Sequence, residues 1–450
     1  MSRHETSTSL IPLSLMCERI QAISHYVIKL SHHFSPSIIR LLTSHFQQLT
    51  SSFQHPSNQL FHYFAAMLKK LLPFILFIGL LTSSKAQEVS HWMISKGFEN
   101  VQTLSRNDTL FISYENRVYR YEVAAIKEIL NTLPIPDGTN TLVIFPKYQN
   151  LPTIQLIIPT SLDQYLSKIT LKTDLWSSTG FGEIASENKS TFKADLSIGP
   201  WIYGTQIGNY DDPIKIELDL APTLHLQLAK GLKLTGQLLV PVINNYSDDG
   251  IRPGILTLEQ SVKLPFNTYA TASIGQYNPR RYGARLHAMT YTKDGQWGLG
   301  TTLGYTQPSS ISGELTNDFY ENRATHIARV NASWRWLEQD LILSGTFGTF
   351  LYQDLGVKVE ARRQFKEAQI AVFLQKTSIR ENAGFSLFLP IPTKKYSSIK
   401  QFRVRTARHL RYRYRFRGQT YGGEEMQLYY DIVLKLTELN PAFLYNKIFE

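Results

Sequence analysis

The 450-residue sequence is poor in cysteine and in charged residues. Its single cysteine, Cys17, lies near the N-terminus, so the rest of the chain forms no disulfide and no cysteine-ligated metal site. Charged residues make up 18% of the chain, below the ~25% of an average soluble protein. Tyr and Phe are abundant, with 24 of each. Few charges and many aromatic residues are typical of membrane-embedded sheets, in which apolar and polar positions alternate.

Catalytic motifs are absent from the sequence after residue 86. It contains no Gly-rich phosphate loop, no His-Glu-x-x-His helix and no nucleophile elbow. The acidic pairs at 211–212 and 248–249 would suit glycoside hydrolysis or calcium binding. Each pair stands beside Pro or Gly, however, and turns at loop tips explain them more simply. We therefore expect a protein that is not an enzyme and that uses no cofactor and no metal.

Residues 67–86 have the composition of a secretory signal peptide. Lys69 and Lys70 precede an apolar segment, Leu71 to Leu81, that is too short to span a bilayer comfortably. The small residue Ala86 predicts cleavage between Ala86 and Gln87. A signal anchor that stays in place is the alternative. A secretory signal peptide predicts that the protein is exported from the bacterial cytoplasm.

Residues 1–66 are rich in Ser and His and show no clear periodicity. Four histidines in this stretch suggest metal ligands: His32, His33, His45 and His55. Signal peptides do not normally follow long extensions, however. We therefore interpret residues 1–66 as an upstream extension from a mis-assigned start codon, with Met67 as the initiator.

Residues 87–165 predict a small α/β module of the order ββαββ. Alternating apolar residues mark a strand within 108–120, and Glu122 to Leu133 has the spacing of an amphipathic helix that two prolines end. Two further strands are predicted at Thr141–Pro146 and Thr153–Pro159. We expect this module to lie in the periplasm and to bind partner proteins there.

Glu115 and Glu122 of this module suggest an acid/base pair. No nucleophile accompanies them in the sequence, and arginines at 117 and 120 stand close by. A solvated, salt-bridged surface is the simpler interpretation.

Residues 171–450 predict an antiparallel outer-membrane β-barrel. Strictly alternating runs such as Ile214–Leu220 are separated by turn residues, and each run is about as long as a tilted strand needs to cross a bilayer. About twelve strands fit between Phe192 and Arg417. A soluble β-sandwich or propeller is the structural alternative. Aromatic residues near strand ends predict membrane-interface girdles; they are Trp201, Tyr203, Tyr269, Tyr277, Tyr282, Trp297, Tyr305, Trp334, Trp336 and Tyr352.

A basic stretch near the C-terminus places arginines on one strand face and rings on the other. Residues 400–417 contain eight basic residues and no acidic one. Arginine facing hydrocarbon at mid-depth costs about 2–4 kcal/mol, so the rings Tyr412, Tyr414 and Phe416 are predicted to face lipid. The predicted lumen-facing arginines are Arg403, Arg405, Arg411, Arg413, Arg415 and Arg417.

Three roles are open for this arginine face. Its charges balance acidic residues across the lumen, for which Glu217, Asp219 and Glu360 are candidates, or they contact an anionic polymer such as a polysaccharide. Nucleic-acid binding is the third role, and export from the cytoplasm argues against it.

Several segments resemble the YjbH family. They are residues 232–245, the Gly-rich stretch 345–365 that ends in Arg363-Gln-Phe365, residues 382–392 with their closing Leu389-Pro-Ile-Pro392, and the Gly97-Phe-Glu-Asn-Val101 block. The resemblance implies a non-catalytic outer-membrane β-barrel encoded with exopolysaccharide and group 4 capsule genes. The chain is shorter than the large members of that family.

Together, the pattern and the resemblance predict an outer-membrane protein for exopolysaccharide or capsule export or assembly. Its expected partners are outer-membrane lipid, periplasmic polysaccharide-export proteins and an anionic polysaccharide, and not nucleic acid. A general porin or a surface attachment protein is the alternative.

Overall fold

The computed structural model describes most of the chain after residue 85. The described residues are 86–160, 170–172, 185–207, 214–245, 250–277, 280–309, 323–396, 401–416, 422–426 and 439–449. Within these ranges the protein is mainly β, with two sheets and few helical residues. None of the helices described there is long and apolar enough to cross a membrane.

The first sheet is mixed and has six strands. Its order is β1-β2-β3-β5-β6, with β4 paired to β3; the β2–β3 pair is parallel and the other pairs are antiparallel. The strands are β1 (Glu99–Arg106), β2 (Thr109–Glu115), β3 (Thr141–Tyr148), β4 (Leu151–Pro152), β5 (Gln155–Pro159) and β6 (Thr170–Lys172). Residues 86–95 form helix α1, and α2 (Glu122–Thr132) connects β2 to β3.

Helix α2 forms where the sequence predicted it and for the predicted reason. Val123, Ile126 and Ile129 are buried at helical spacing against the sheet. The helix stops before Leu133, whose extended backbone is the conformation expected of a residue that precedes proline.

The core of this first region includes a helix from the other end of the chain. Helix α3 (Pro441–Phe449) contributes the fully buried Phe443 and Leu444 to the same apolar cluster as Ile112 of β2 and Ile126 of α2. The prediction that 171–450 as a whole forms the second region is wrong for these residues. Nothing in the sequence of a nine-residue amphipathic segment shows which sheet its apolar face will cover.

The large sheet contains sixteen strands, and neighbours along it are antiparallel with one exception. Its path is β21-β7-β10-β11 and then in chain order to β20 and β22, with β9 paired to β11 and β8 to β9. The exception is the parallel pair of β21 with β7. The strands are β7 (Ala194–Ile198), β8 (Pro200–Ile207), β9 (Ile214–Leu220), β10 (Thr223–Ala229), β11 (Leu232–Asn244), β12 (Arg252–Leu264), β13 (Thr268–Tyr277), β14 (Arg281–Tyr291), β15 (Trp297–Pro308), β16 (Thr325–Trp336), β17 (Leu341–Thr349), β18 (Leu355–Phe365), β19 (Ala368–Thr377), β20 (Glu381–Pro390), β21 (Phe402–Thr406) and β22 (His409–Arg415).

Three interrupted strands account for most of the excess of sixteen strands over the predicted twelve, because counting each of them once leaves thirteen. Gly199 alone separates β7 from β8, and two residues each separate β9 from β10 and β21 from β22. Two of these breaks touch: a Cβ on Gly199 would lie 2.3 Å from the Cβ of Ala407. Only glycine permits that approach, and short breaks of this kind leave no turn signature in a sequence.

The large sheet exposes its apolar face and buries its polar face, which is the reverse of the arrangement in a soluble protein. In β15 the exposed residues are Trp297, Leu299, Leu303 and Tyr305, whereas the intervening Thr302 is buried. In β19, Ile370, Val372 and Leu374 are exposed, whereas Gln369 and Gln375 are buried together with Ala371 and Phe373. One face is therefore apolar and open, and the other is polar and covered.

One end of the large sheet contacts the first sheet and helix α3. Three turns and the start of β13 make these contacts. The turns are those between β10 and β11, between β16 and β17, and between β18 and β19. The contacts are Gly231 N to Gln149 O at 2.8 Å, Arg120 Nε to Glu367 Oε2 at 2.6 Å, Lys447 Nζ to Asp340 Oδ2 at 2.7 Å, and Tyr269 Oη to Thr153 O at 2.6 Å.

Candidate functional site

Arg403 and Arg405 of β21 lie on the polar face, as predicted, and contact acidic residues there. Arg403 Nη1 donates to Glu99 Oε1 at 2.5 Å, and its Nε donates to Asp195. All three side chains are buried. Arg405 lies 3.8 Å from the same Asp195. Because Glu99 begins β1 and Asp195 lies in β7, this cluster joins the two sheets.

The arginines of β22 lie further along the same face. Arg415 is buried and its Nη1 is 2.6 Å from Glu424 Oε2, whereas Arg411 and Arg413 stand 5.2 and 5.8 Å from the ring centres of Phe388 and Phe373. Arg417, which was also predicted, lies outside the described residues.

The rings that alternate with these arginines lie on the opposite face. Phe416 is 65% exposed, and Tyr412 and Tyr414 pack at 6.0 and 5.5 Å against Phe385 of β20. The arginines and the rings therefore lie on opposite faces of the sheet, and the assignment of these faces to lumen and lipid stays a prediction.

Of the predicted counter-ions of the arginine face, Glu360 interacts electrostatically with Arg413, and it also pairs with Lys358 and Arg362. Glu217 and Asp219 pair with Arg252. The arginine face has further contacts with Glu99, Asp195 and Glu424. Glu99 belongs to the first sheet and Glu424 to the C-terminal segment 422–426, and strand alternation carries no information about either position.

The aromatic residues that were predicted to form girdles do not share one face of the large sheet. Trp297 and Trp336 are exposed on the apolar face and cluster around Trp334, with ring centres 6.2 and 6.1 Å from it. Tyr269 and Tyr277 are buried on the polar face instead. Tyr277 there joins a small cluster with Ile327 and Met426.

A cavity of about 280 Å3 opens on the polar face. Its described lining comes from β14 to β18, β20 and β22, and it also includes Glu425 and Asn440. The lining contains two acidic side chains, Glu360 and Glu425, and seven basic ones, which are Arg285, Arg329, Arg335, Lys358, Arg362, Arg411 and Arg413. Such an excess of positive charge in a partly enclosed space favours an anionic ligand.

Sequence analysis identified two of these seven basic residues, Arg411 and Arg413. The signal for the others was present, because Arg329 and Arg335 share one face of β16, and Lys358 and Arg362 share one face of β18. Each strand, however, carries only two such residues, and their convergence depends on which strands surround the cavity.

The C-terminal segment 422–426 is fixed to the same face. Glu425 Oε1 lies 3.2 Å from Lys358 Nζ, and its Oε2 lies 3.6 Å from Arg329 Nη1. The Gly423 amide donates to Asp354 Oδ2 at 2.6 Å. An acidic side chain of the protein thus occupies part of the cationic lining.

Glu115 and Glu122 were interpreted as members of a solvated surface, and that was wrong. Both are buried. The Tyr114 hydroxyl donates to Glu122 at 2.9 Å, and Arg117 lies 2.8 Å from Glu115. Burial, with Glu122 adjacent, raises the pKa of Tyr114 well above its ordinary value. The contact between Tyr114 and Glu122 joins β2 to α2.

Lys147 of β3 is also buried in this first region. Its Nζ donates to the Asn100 carbonyl at 3.0 Å, and Glu115 is near enough to favour the charged amine. Burial outweighs that attraction and lowers the pKa of Lys147 to about 7.

The predicted cleavage position lies in α1. The Ala86 carbonyl accepts a hydrogen bond from Thr103 Oγ1 at 2.9 Å, and Gln87 is exposed. Cleavage there stays a prediction. The N-terminal histidines and the acidic pairs at 211–212 and 248–249 lie outside the described residues.

No protein-family model matches the chain, and a search among curated proteins found no similar sequence. The resemblance to the YjbH family therefore rests on the sequence segments alone.

Proposed function

We propose that the large sheet closes into a bacterial outer-membrane β-barrel that takes part in exopolysaccharide or capsule export or assembly. The observation that carries the proposal is the reversed polarity of the sheet, apolar and exposed on one face and polar and covered on the other. A soluble protein would expose a continuous apolar surface at a cost in aggregation, whereas hydrocarbon is the natural environment of that face.

Closure is supported by the two ends of the sheet path. The path begins at β21 and ends at β22, which are separated in the chain by two residues only. Counting each interrupted strand once leaves thirteen strands. When successive strands are antiparallel, an odd number makes the first and last strands parallel, and β7 and β21 are parallel.

The height of the apolar face fits a membrane. Trp297 and Tyr305 stand at the two ends of the apolar stretch of β15. Eight residues at ~3.3 Å per residue separate them by about 26 Å along the strand, or about 20 Å across a bilayer after a tilt of ~40°. Outer-membrane barrels present an apolar band ~25 Å tall with aromatic residues at both edges.

The connections between strands favour one orientation. At the end that meets the first sheet, five of the six connections between strands have two to five residues, and the sixth, between β20 and β21, has eleven. At the other end the longest connection, between β15 and β16, has sixteen residues. Short turns face the periplasm in outer-membrane barrels. The first sheet with helix α3 would then form the periplasmic module, in position to bind export proteins.

The assignment to polysaccharide export rests on the resemblance to the YjbH family and on the cationic cavity, which suits an acidic polymer. The alternative is a general porin or an attachment protein. Deleting the gene and quantifying cell-surface acidic polysaccharide separates them. We expect the polysaccharide to fall and to return on complementation. Unchanged polysaccharide with slower uptake of small solutes would support the porin and contradict our proposal.

A further inference from the structure

The cavity on the polar face holds its basic side chains in fixed positions before any ligand arrives. Phe388 lies between two guanidinium groups, with Arg362 at 5.3 Å and Arg411 at 5.2 Å from its ring centre. Arg335 stacks at 5.3 Å on Phe443 of helix α3. Side chains held in this way lose little conformational entropy when a ligand binds.

Arg335 can donate a further hydrogen bond in this cavity. Its side chain is 5% exposed, and its Nη1 has no hydrogen-bond partner among the residues that the structure describes. Stacking on Phe443 leaves the N–H groups in the plane of the guanidinium, where a carboxylate accepts two of them in parallel. A buried donor of this kind is costly unless an acceptor satisfies it.

We propose that the cavity binds one carboxylate-bearing sugar residue of an acidic polysaccharide, and that Glu425 competes with it for the same basic side chains. The inference rests on the proposed export function and adds the ligand class and the residues that bind it. Arg413 would contact the sugar carboxylate at the position that Glu425 occupies in its absence, beside Lys358 and Arg329. Arg335 would donate its Nη1 to an oxygen of the same sugar.

A carboxylate fits better than a larger anion. The protein's own carboxylates already occupy this environment, with Glu360 at 2.6 Å from Arg362 and Glu425 at 3.2 Å from Lys358. The cavity volume of about 280 Å3 is at the lower end of the ~300–1,000 Å3 range of small-molecule sites. That size suits one monosaccharide unit.

The test measures the binding of trigalacturonate to the full-length protein, folded in detergent, by titration calorimetry. Uncharged maltotriose and inorganic triphosphate serve as comparison ligands. We expect Arg335→Gln and Arg413→Gln each to weaken trigalacturonate binding about tenfold, the value of one charge-assisted hydrogen bond. Glu425→Gln should strengthen it several-fold, because a competing carboxylate is removed.

Arg363→Gln is the matched control, since it removes an arginine on the exposed face of β18. It should leave binding unchanged. Gain of affinity in one cavity variant and loss in two others is a pattern that misfolding does not produce.

Equal affinity of all the variants would overturn the inference, and so would triphosphate binding as tightly as trigalacturonate. Loss of trigalacturonate binding does not itself affect the export proposal, which the gene deletion tests separately. A deletion that lowers polysaccharide, combined with no trigalacturonate binding, would refute only this inference.

Discussion

Replacing Arg403 tests the cluster that joins the two sheets. Arg403→Met removes the charge but keeps the length of the side chain, and it leaves Glu99 and Asp195 buried. Removing one partner of a buried ion pair costs about 3–5 kcal/mol. Glu99 keeps Lys193 at 3.0 Å, and Asp195 keeps Arg117 at 3.2 Å, so we expect a loss of unfolding free energy near the lower end, about 3 kcal/mol.

Urea titration followed by tryptophan fluorescence measures this loss on protein refolded into liposomes. Arg403→Lys should cost less, because a lysine keeps the charge but cannot reach both carboxylates in the geometry of a guanidinium. Arg363→Met, at an exposed position, should change the unfolding free energy by less than about 0.5 kcal/mol. If Arg403→Met destabilised the protein no more than Arg363→Met does, the cluster would not join the sheets energetically.

Three further predictions concern the two sheets separately. Because Lys147 has a pKa of about 7 when folded and about 10.4 when unfolded, the unfolded chain binds more protons between these values. The first sheet should therefore gain stability as the pH rises from 7 to 10, and the hydrogen exchange of residues 141–148, corrected for intrinsic rates, should slow accordingly. Lys147→Met should abolish this gain in stability. Val372→Arg, on the exposed apolar face of β19, should cost about 2–4 kcal/mol in liposomes; a cost below about 0.5 kcal/mol would mean that this face meets water. Phe443→Ala should lower the unfolding free energy by about 3–5 kcal/mol. It should speed hydrogen exchange in β2 and β3 and leave exchange in β19 unchanged. An equal change in all three strands would contradict the placement of α3 in the first core.

The elements that depend on local pattern could be predicted from the sequence. The helix from Glu122, the strand at Ile214–Leu220 and the opposite faces of Arg415 and Phe416 all follow from periodicity. A period of two assigns neighbouring residues to opposite faces whatever the sheet packs against.

The features that depend on distant parts of the chain could not be predicted. Arg403 contacts Glu99 across 304 positions of sequence, and Phe443 packs into a core built mainly from residues before 160. Glu115 was misjudged because a polar residue beside an arginine is usually exposed, whereas here hydrogen bonds satisfy a buried network. The cavity combines one or two basic residues from each of four strands, and of these strands only β22 shows an unusual pattern.

The gel mobility of the protein from isolated outer membranes tests the central claim most directly. A closed β-barrel stays folded in sodium dodecyl sulfate until it is boiled, so unheated and boiled samples should migrate at different positions. We predict this shift for protein that sediments with the outer membrane and dissolves only in detergent. A protein recovered in the aqueous fraction, with the same mobility before and after boiling, would contradict the account.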